Sequence, residues 1–259
     1  MPSLHPTLAS PRPLVFAHRG GGKIGPENTI PAFDRGLAAG ADGLELDVQL
    51  SRDGIVVVHH DRLLGRTNRG AGPVGDRTAE ELAAFDVPTL RTVLERYPHP
   101  KLIVELKDPD AGLARAAVEE VRRARAAERV CFGSFSVRAL RAVRTAEPGM
   151  ATSAGTMEVR LALYRSWIGL SPGRVPYRAF QVPETSGATR VVSPRFVRLA
   201  HKADLAVQVW TVDEPDDIRR LLEWGVDGII SDRPDIAAQI VGDWAARQPQ
   251  LLEDEMGHV

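Results

Sequence analysis

The chain has 259 residues, 43% hydrophobic and 26% charged, with a formal net charge of −1. That length and balance suit one globular domain with a sizeable core, and the near-zero charge excludes the broad basic footprint of a nucleic-acid or anionic-membrane binder. The single cysteine, Cys131, excludes an intramolecular disulfide framework or multi-cysteine metal site. No apolar run reaches transmembrane length and residues 1–13 lack a signal-type apolar stretch, so a cytoplasmic protein is expected.

Leu14-Val-Phe-Ala17 reads as a short apolar strand that runs straight into His18-Arg19-Gly20. A helix follows near 28–39, with Asn28 as a candidate N-cap and Gly40 at its stop. The next strand, 43–48, carries the most informative pattern in the chain. Strand side chains alternate faces, so Leu44, Leu46 and Val48 share one side while Glu45 and Asp47 share the other, with Cα atoms roughly 6.5 Å apart. Two carboxylates at that spacing can converge on one hard cation; without one they repel each other in a poorly solvated place.

Residues 49–88 do not read as a simple loop. They hold a β-branched strand at 55–58 ending in His59-His60-Asp61, a Gly-rich stretch and a short helix near 78–84, and are expected to form a cap excursion over the mouth of the fold. Beyond them strands are predicted near 102–106, 129–134, 149–153, 177–182, 205–210 and 227–231. Helices alternate with them near 89–97, 110–127, 136–146, 157–169, 194–202, 215–224 and 233–246, several opened by Ser136, Ser193-Pro194, Asp213-Glu-Pro215 or Asp232-Arg-Pro234. Residues 248–259 are polar and acidic and read as a frayed tail.

Eight strand–helix units in about 250 residues predict a TIM (β/α)8 barrel spanning residues 14–247, in preference to a doubly wound open sheet. Strand ends are where such folds place chemistry. Glu105 and Lys107, on one face of Leu102-Ile-Val-Glu105-Leu-Lys107, add a third carboxylate and a cation to the set. Trp210, ending the seventh strand, and Phe135, after the fourth, are either core residues or apolar walls of a site. Cys131, in an apolar strand, reads as a buried small residue, and His99 and His201 as structural.

Several ordered motifs resemble the glycerophosphodiester phosphodiesterase family: His18-Arg19-Gly20, Pro26-Glu27-Asn28-Thr29, Glu45-Leu-Asp47, His59-His60-Asp61, Pro88-Thr89-Leu90, Glu105-Leu-Lys107, and Gly228-Ile-Ile-Ser-Asp-Arg-Pro234 near the end. The resemblance covers about residues 14–245. It implies a barrel that hydrolyses glycerophosphodiesters to glycerol 3-phosphate and an alcohol with one divalent cation, Mg2+ or Ca2+ foremost and Mn2+ as an alternative. Carried over, Glu45, Asp47 and Glu105 match the metal ligands, His18 and His60 the catalytic histidines, and Arg19 and Lys107 the phosphate-facing cations. Glu27 is expected to order Arg19 or approach the metal. His59 and His60 are adjacent, so only one reaches the site, and the His-Asp pairing selects His60.

The chemistry is coherent without the resemblance. A phosphodiester gains charge as it reacts, which a cation, Arg and Lys stabilise, and histidines titrate near neutrality and divide acid and base roles. The alternatives are a lysophospholipase D-type or general phosphodiesterase, a metal-dependent sugar isomerase or aldolase on the same barrel, and a non-catalytic binding barrel. The partner is expected to be a small molecule rather than nucleic acid; oligomeric state is not set by the sequence.

Overall fold

The computed structural model describes residues 4–256, with side chains described for residues 4–247. The strands are β1 (Leu14–His18), β2 (Gly43–Leu50), β3 (Val56–Val58), β4 (Lys101–Leu106), β5 (Val130–Gly133), β6 (Ala151–Thr152), β7 (Ala179–Pro183), β8 (Thr185–Ser186), β9 (Thr189–Arg190), β10 (Ala206–Trp210) and β11 (Gly228–Ser231). Eight of them hydrogen-bond in parallel in the order β6-β5-β4-β2-β1-β11-β10-β7, and a parallel bridge between Ser153 and Ala179 joins the two ends. The expected TIM barrel is the fold observed.

The helices are α1 (Ile30–Ala38), α2 (Ala79–Ala83), α3 (Leu90–Arg96), α4 (Ala111–Arg123), α5 (Val137–Ala146), α6 (Thr156–Trp167), α7 (Pro194–His201), α8 (Pro215–Glu223) and α9 (Pro234–Met256). Their start signals act as read at Ser136 and Ser193, whose hydroxyls accept from Ala139 N and Phe196 N. At α1 the cap is Thr29, not Asn28. Asn28 adopts a left-handed φ of 56° and its amide turns to Asp47 instead. The last helix runs to Met256, past the stop expected near 246; residues 257–259 of the expected tail lie outside the described residues. Among the described residues, no helix is long and apolar enough to cross a membrane.

Alternation on β2 sorts the core. Leu44, Leu46 and Val48 join Phe33, Val104 and Leu113 in the layer between barrel and helices, while Glu45, Asp47 and Gln49 are left on the inner side and are also buried. Lower in the barrel the inner layer is apolar, with Leu14, Phe16, Ile103 and Ile230 packed together. The floor is closed by the N-terminal segment, which the sequence did not announce. Leu8 inserts among Cys131, Ala151, Ala179 and Ala206, the Thr7 hydroxyl donates to Glu128 O, and Lys101 Nζ donates to Pro6 O and Thr7 O.

The cap expected at about 49–88 begins as β3, antiparallel to the upper end of β2, and continues through a long loop to α2. It has a small core of its own, Val57, Leu64, Val74, Leu82 and Val87. Leu8 is 2% exposed and cannot be truncated without leaving a void at the barrel floor. Leu8→Ala is expected to lower stability by about 2–4 kcal/mol, read as a lower urea midpoint with unchanged slope; an unchanged midpoint would mean that the segment does not plug the barrel.

Candidate active site

The inner row of β2 builds the site. Strand register places His18 opposite Glu45, Asp47 opposite Glu105, and Glu105 opposite Gly133. A cleft of about 160 Å³ at this level is lined by His18, Arg19, Glu45, Asp47, His60, Glu105, Lys107, Phe135, Gln181 and Trp210, above Ile103 and Ile230. Nine of the ten residues singled out from the sequence therefore line one cavity. Glu27 does not; it faces a separate hollow under the cap and bonds Arg19 Nη1 at 3.0 Å, the ordering role that was one of its two expected uses.

Charge compensation explains the local geometry. Asp47, 2% exposed, lies 3.3 Å from Lys107 Nζ and 3.3 Å from Arg19 Nε, and accepts from Asn28 Nδ2 at 2.9 Å. Burial opposes its charge, yet Lys107 and Arg19 hold its pKa below the usual carboxylate value. Glu45 accepts from the Arg19 backbone N–H at 3.1 Å, but burial and the neighbouring Asp47 push it up to about 7. Glu105 is pushed up to about 8 by enclosure within the barrel and by Asp47.

The turn after β1 is tight because Arg19 takes a left-handed φ of 53° and Gly20 one of 87°. A Cβ on Gly20 would stand 2.8 Å from Ala32 of α1, so the Arg19 amide reaches Glu45 only with glycine beside it. Likewise a Cβ at Gly133 would meet Glu105 Oε2 and Gln181 Oε1 at 3.0 Å.

Both expected histidines are held through Nδ1 by an aspartate: His18 by Asp232 at 2.7 Å and His60 by Asp61 at 2.6 Å. Burial works against a charged His18 ring, but Glu45 and Asp232 outweigh it and raise its pKa. Asp61 also loses by burial, yet bonds from Arg66 and His60 draw it down to about 2. His59 turns away from the cleft: it is 5% exposed, with Nδ1 on Asp61 O at 2.8 Å.

The donor set is all oxygen and suits a hard divalent ion. Among the described residues, no three acidic, histidine or cysteine side chains are gathered around one point as a finished metal site. Instead the cations Arg19 and Lys107 stand against Asp47. Glu45, Asp47 and Glu105 are the residues that could hold a metal, and their mutual repulsion is what such an ion would relieve.

This constellation has relatives. The model of the glycerophosphoryl diester phosphodiesterase family matches residues 18–236. A glycerophosphodiester phosphodiesterase of Caldanaerobacter subterraneus subsp. tengcongensis is 33% identical over 251 residues, covering 88% of this chain and 97% of its own. The chain belongs to the glycerophosphoryl diester phosphodiesterase family. It is an enzyme, a phosphoric diester hydrolase, as the motifs implied. The crystal structure of a glycerophosphodiester phosphodiesterase from Agrobacterium tumefaciens is 26% identical with a TM-score of 0.73, covering 88% of this chain and 98% of the other. An Oleispira antarctica phosphodiesterase solved with the product sn-glycerol-3-phosphate is 22% identical and shares the fold at a TM-score of 0.71, covering 89% and 97%.

The roles of four positions in this family member went unread in the sequence. Gln49 continues the inner row of β2, and its Nε2 donates to the carbonyls of His59, His60 and Asp61 at 2.8, 3.2 and 2.7 Å. It fixes the backbone that carries His60; the period-two row from Glu45 was the available signal. Asp232 was read as part of a helix start, but its carboxylate is spent on His18. Asp213 near α8 is not a helix cap either: it accepts from Ser231 Oγ and Asp232 N, both at 2.8 Å, and thereby steadies Asp232. Gln181 lines the cleft from β7, with Nε2 on Gln208 Oε1 at 2.9 Å; no sequence signal marked it. Cys131 is buried as expected, and burial pushes its thiol up to about 12, which removes it as a nucleophile.

The raised carboxylates predict how metal-free protein responds to pH. Glu105 ordinarily titrates near 4.5 and does so at about 8 in the fold, so the unfolded chain releases its proton first. Stability should therefore fall as pH rises from about 4.5 towards 8. Glu105→Gln carries no proton to lose and is expected to flatten part of that fall. Denaturant midpoints at pH 5 and pH 8 test this; equal pH dependence in both proteins would show that Glu105 is not a repelled carboxylate.

Proposed function

We propose that the protein hydrolyses glycerophosphodiesters to sn-glycerol 3-phosphate and an alcohol, with one divalent cation at Glu45, Asp47 and Glu105 and with His18 and His60 as the proton donor and acceptor. The observation that carries this reading is the pair of Nδ1-anchored histidines lining the same cleft as the three carboxylates and two cations. The related Oleispira phosphodiesterase, solved with sn-glycerol-3-phosphate, supports the product.

An aspartate on Nδ1 fixes the tautomer, so each ring offers Nε2 for proton transfer. Glu45 and Asp232 favour the charged ring of His18, which suits it to donate a proton to the alkoxide as its bond to phosphorus breaks, while His60 accepts a proton from the water whose oxygen bonds to phosphorus. Arg19 and Lys107, both at the cleft, stabilise the charge that develops on the phosphoryl oxygens. A bound divalent ion would neutralise the carboxylates and polarise the phosphorus centre. Mg2+ or Ca2+ fits the all-oxygen set, with Mn2+ as an alternative.

Excess chelator should abolish release of glycerol 3-phosphate from glycerophosphocholine, and added Mg2+, Ca2+ or Mn2+ should restore it. Full turnover by protein shown to be metal-free would sink the metal assignment.

His18→Ala and His60→Ala are each expected to lower turnover by ~10²–10⁴ with the fold intact, the range for a positioned proton donor or acceptor. His59→Ala should cost far less. The reverse ranking of His59 and His60 in steady-state assays would overturn the assignment.

Asp232→Asn removes an anion that raises His18's pKa. If protonated His18 is the acid, activity is lost as pH rises through that pKa. The alkaline limb of the kcat profile should then move to lower pH in the variant. A limb that stays in place would take the acid role away from His18.

A further inference from the structure

Two glutamines stand inside the barrel on strands whose other side chains are mostly apolar. Phe180 and Val182 of β7, with Val207 and Val209 of β10, pack outward into the layer beneath the helices. Alternation therefore turns Gln181 and Gln208 inward, where strand register sets them opposite each other. Gln181 Nε2 donates to Gln208 Oε1 at 2.9 Å. The other end of each amide is left over: Gln181 Oε1 and Gln208 Nε2 are buried and neither has a hydrogen-bond partner among the described residues. A buried amide atom without a partner is costly, so the pair calls for a reason.

Gly133 shows what Gln181 Oε1 faces. A Cβ at that glycine would stand 3.0 Å from Gln181 Oε1 and 3.0 Å from Glu105 Oε2, so the two oxygens meet over one bare Cα. Both are acceptors, and an ionised Glu105 gains nothing from a carbonyl beside it. Glu105 also differs from its two partners in the cleft. Glu45 accepts from the Arg19 amide and Asp47 from Asn28 Nδ2, whereas Glu105 has no hydrogen-bond donor of its own among the described residues.

The two ends of a carboxamide have the same shape and opposite hydrogen-bonding character. With both amides turned over, Gln181 Nε2 donates towards the Glu105 carboxylate, and Gln208 Nε2 donates to Gln181 Oε1. The Cys131 thiol, 3.8 Å from that end of the Gln181 amide, then faces an acceptor to which it can donate weakly. Of the two unpartnered atoms, one is relieved, and Glu105 acquires the donor it lacks.

We propose that Gln181 is a positioning residue for Glu105: its amide N–H, steadied by Gln208, aims the ionised carboxylate at the divalent cation. The inference rests on the metal assignment made above and adds a residue to it. Carboxylates that hold a metal depend on such outer donors for their orientation. The bare Gly133 is part of the device, because any side chain there would separate the two groups.

The test is calorimetric titration of metal-free protein with Mn2+, which reads binding without turnover. Gln181→Met fills the same space without polar atoms and is expected to weaken Mn2+ binding roughly 10–100-fold, the usual effect of losing such a partner. Gly133→Ala pushes the two groups apart and should reproduce the loss, and the double variant should match either single one rather than add to it. Wild-type Mn2+ affinity in Gln181→Met overturns this inference alone and leaves the three carboxylates as the site. Additive losses in the double variant also overturn it, by making Gln181 a packing residue. Should Gly133→Ala fail to fold, Gln181→Met decides the matter by itself. A wild-type protein that binds no Mn2+, Mg2+ or Ca2+ overturns the metal assignment and this inference with it.

Discussion

Three carboxylates enclosed at the mouth of one barrel are the constraint on which the rest of the site depends. Glu45 and Asp47 share the inner face of β2, and register sets Glu105 beside Asp47. Isolated charges are not left unpaired in such a place. Two are met by protein groups: Asp47 by Lys107, Arg19 and Asn28, and Glu45 by the Arg19 amide and the His18 ring. Glu105 shares the same neighbours at longer range, and its raised pKa records that the compensation is incomplete. The left-handed turn at Arg19 and Gly20, the left-handed Asn28 and the bare Gly133 are all backbone concessions to this arrangement.

Positioning then propagates outward from β2 in layers. Glu45 and Asp47 face the cleft, and Gln49, one step further along the same row, grips the three carbonyls around His60. The cap is thus tied to the barrel through the strand that carries the carboxylates, and the short antiparallel β3 continues that tie. On the other side, Asp213 holds Ser231 and the Asp232 amide, and Asp232 holds His18. Each histidine therefore has an oriented aspartate supported by a different part of the fold. Such support narrows the rings to useful orientations without adding another ionisable group to the cleft.

The barrel was legible because its signals are local. Apolar runs alternate with helical ones, glycines stand at the stops of α1 and α8, and strand alternation separates Glu45 and Asp47 from their apolar neighbours. His60 lines the cleft and His59 does not; alternation separates the two, and the match to the family's His-Asp pair, not a local signal, made the choice between them. What was missed depends on contacts far apart in sequence. Asp232 lies 214 residues from His18, and Leu8 reaches the barrel floor only once β5, β6, β7 and β10 are assembled. Asn28 shows a different failure: its residue type fits a helix cap, but Thr29 takes that role, and tertiary demand from Asp47 claims the asparagine.

The two sides of the mouth differ in kind. The β1, β2 and β4 side presents ionised and hydrogen-bonding groups whose strength grows with exclusion of water. The side formed by Phe135, Trp210 and α6 presents more apolar surface, with Val159 and Leu163 beside Arg160, and apolar attraction is non-directional and scales with area. A polar wall of this kind distinguishes the charge that forms during reaction; an apolar wall distinguishes what is attached to the reacting unit. The short segment from Glu81 to Val87 passes almost directly into the turn before α3, so the cap adds little apolar surface over the cleft. The larger space beside the cleft therefore lies on the α6 side, and its wall shares only Glu105 with the carboxylates, cations and histidines of the cleft.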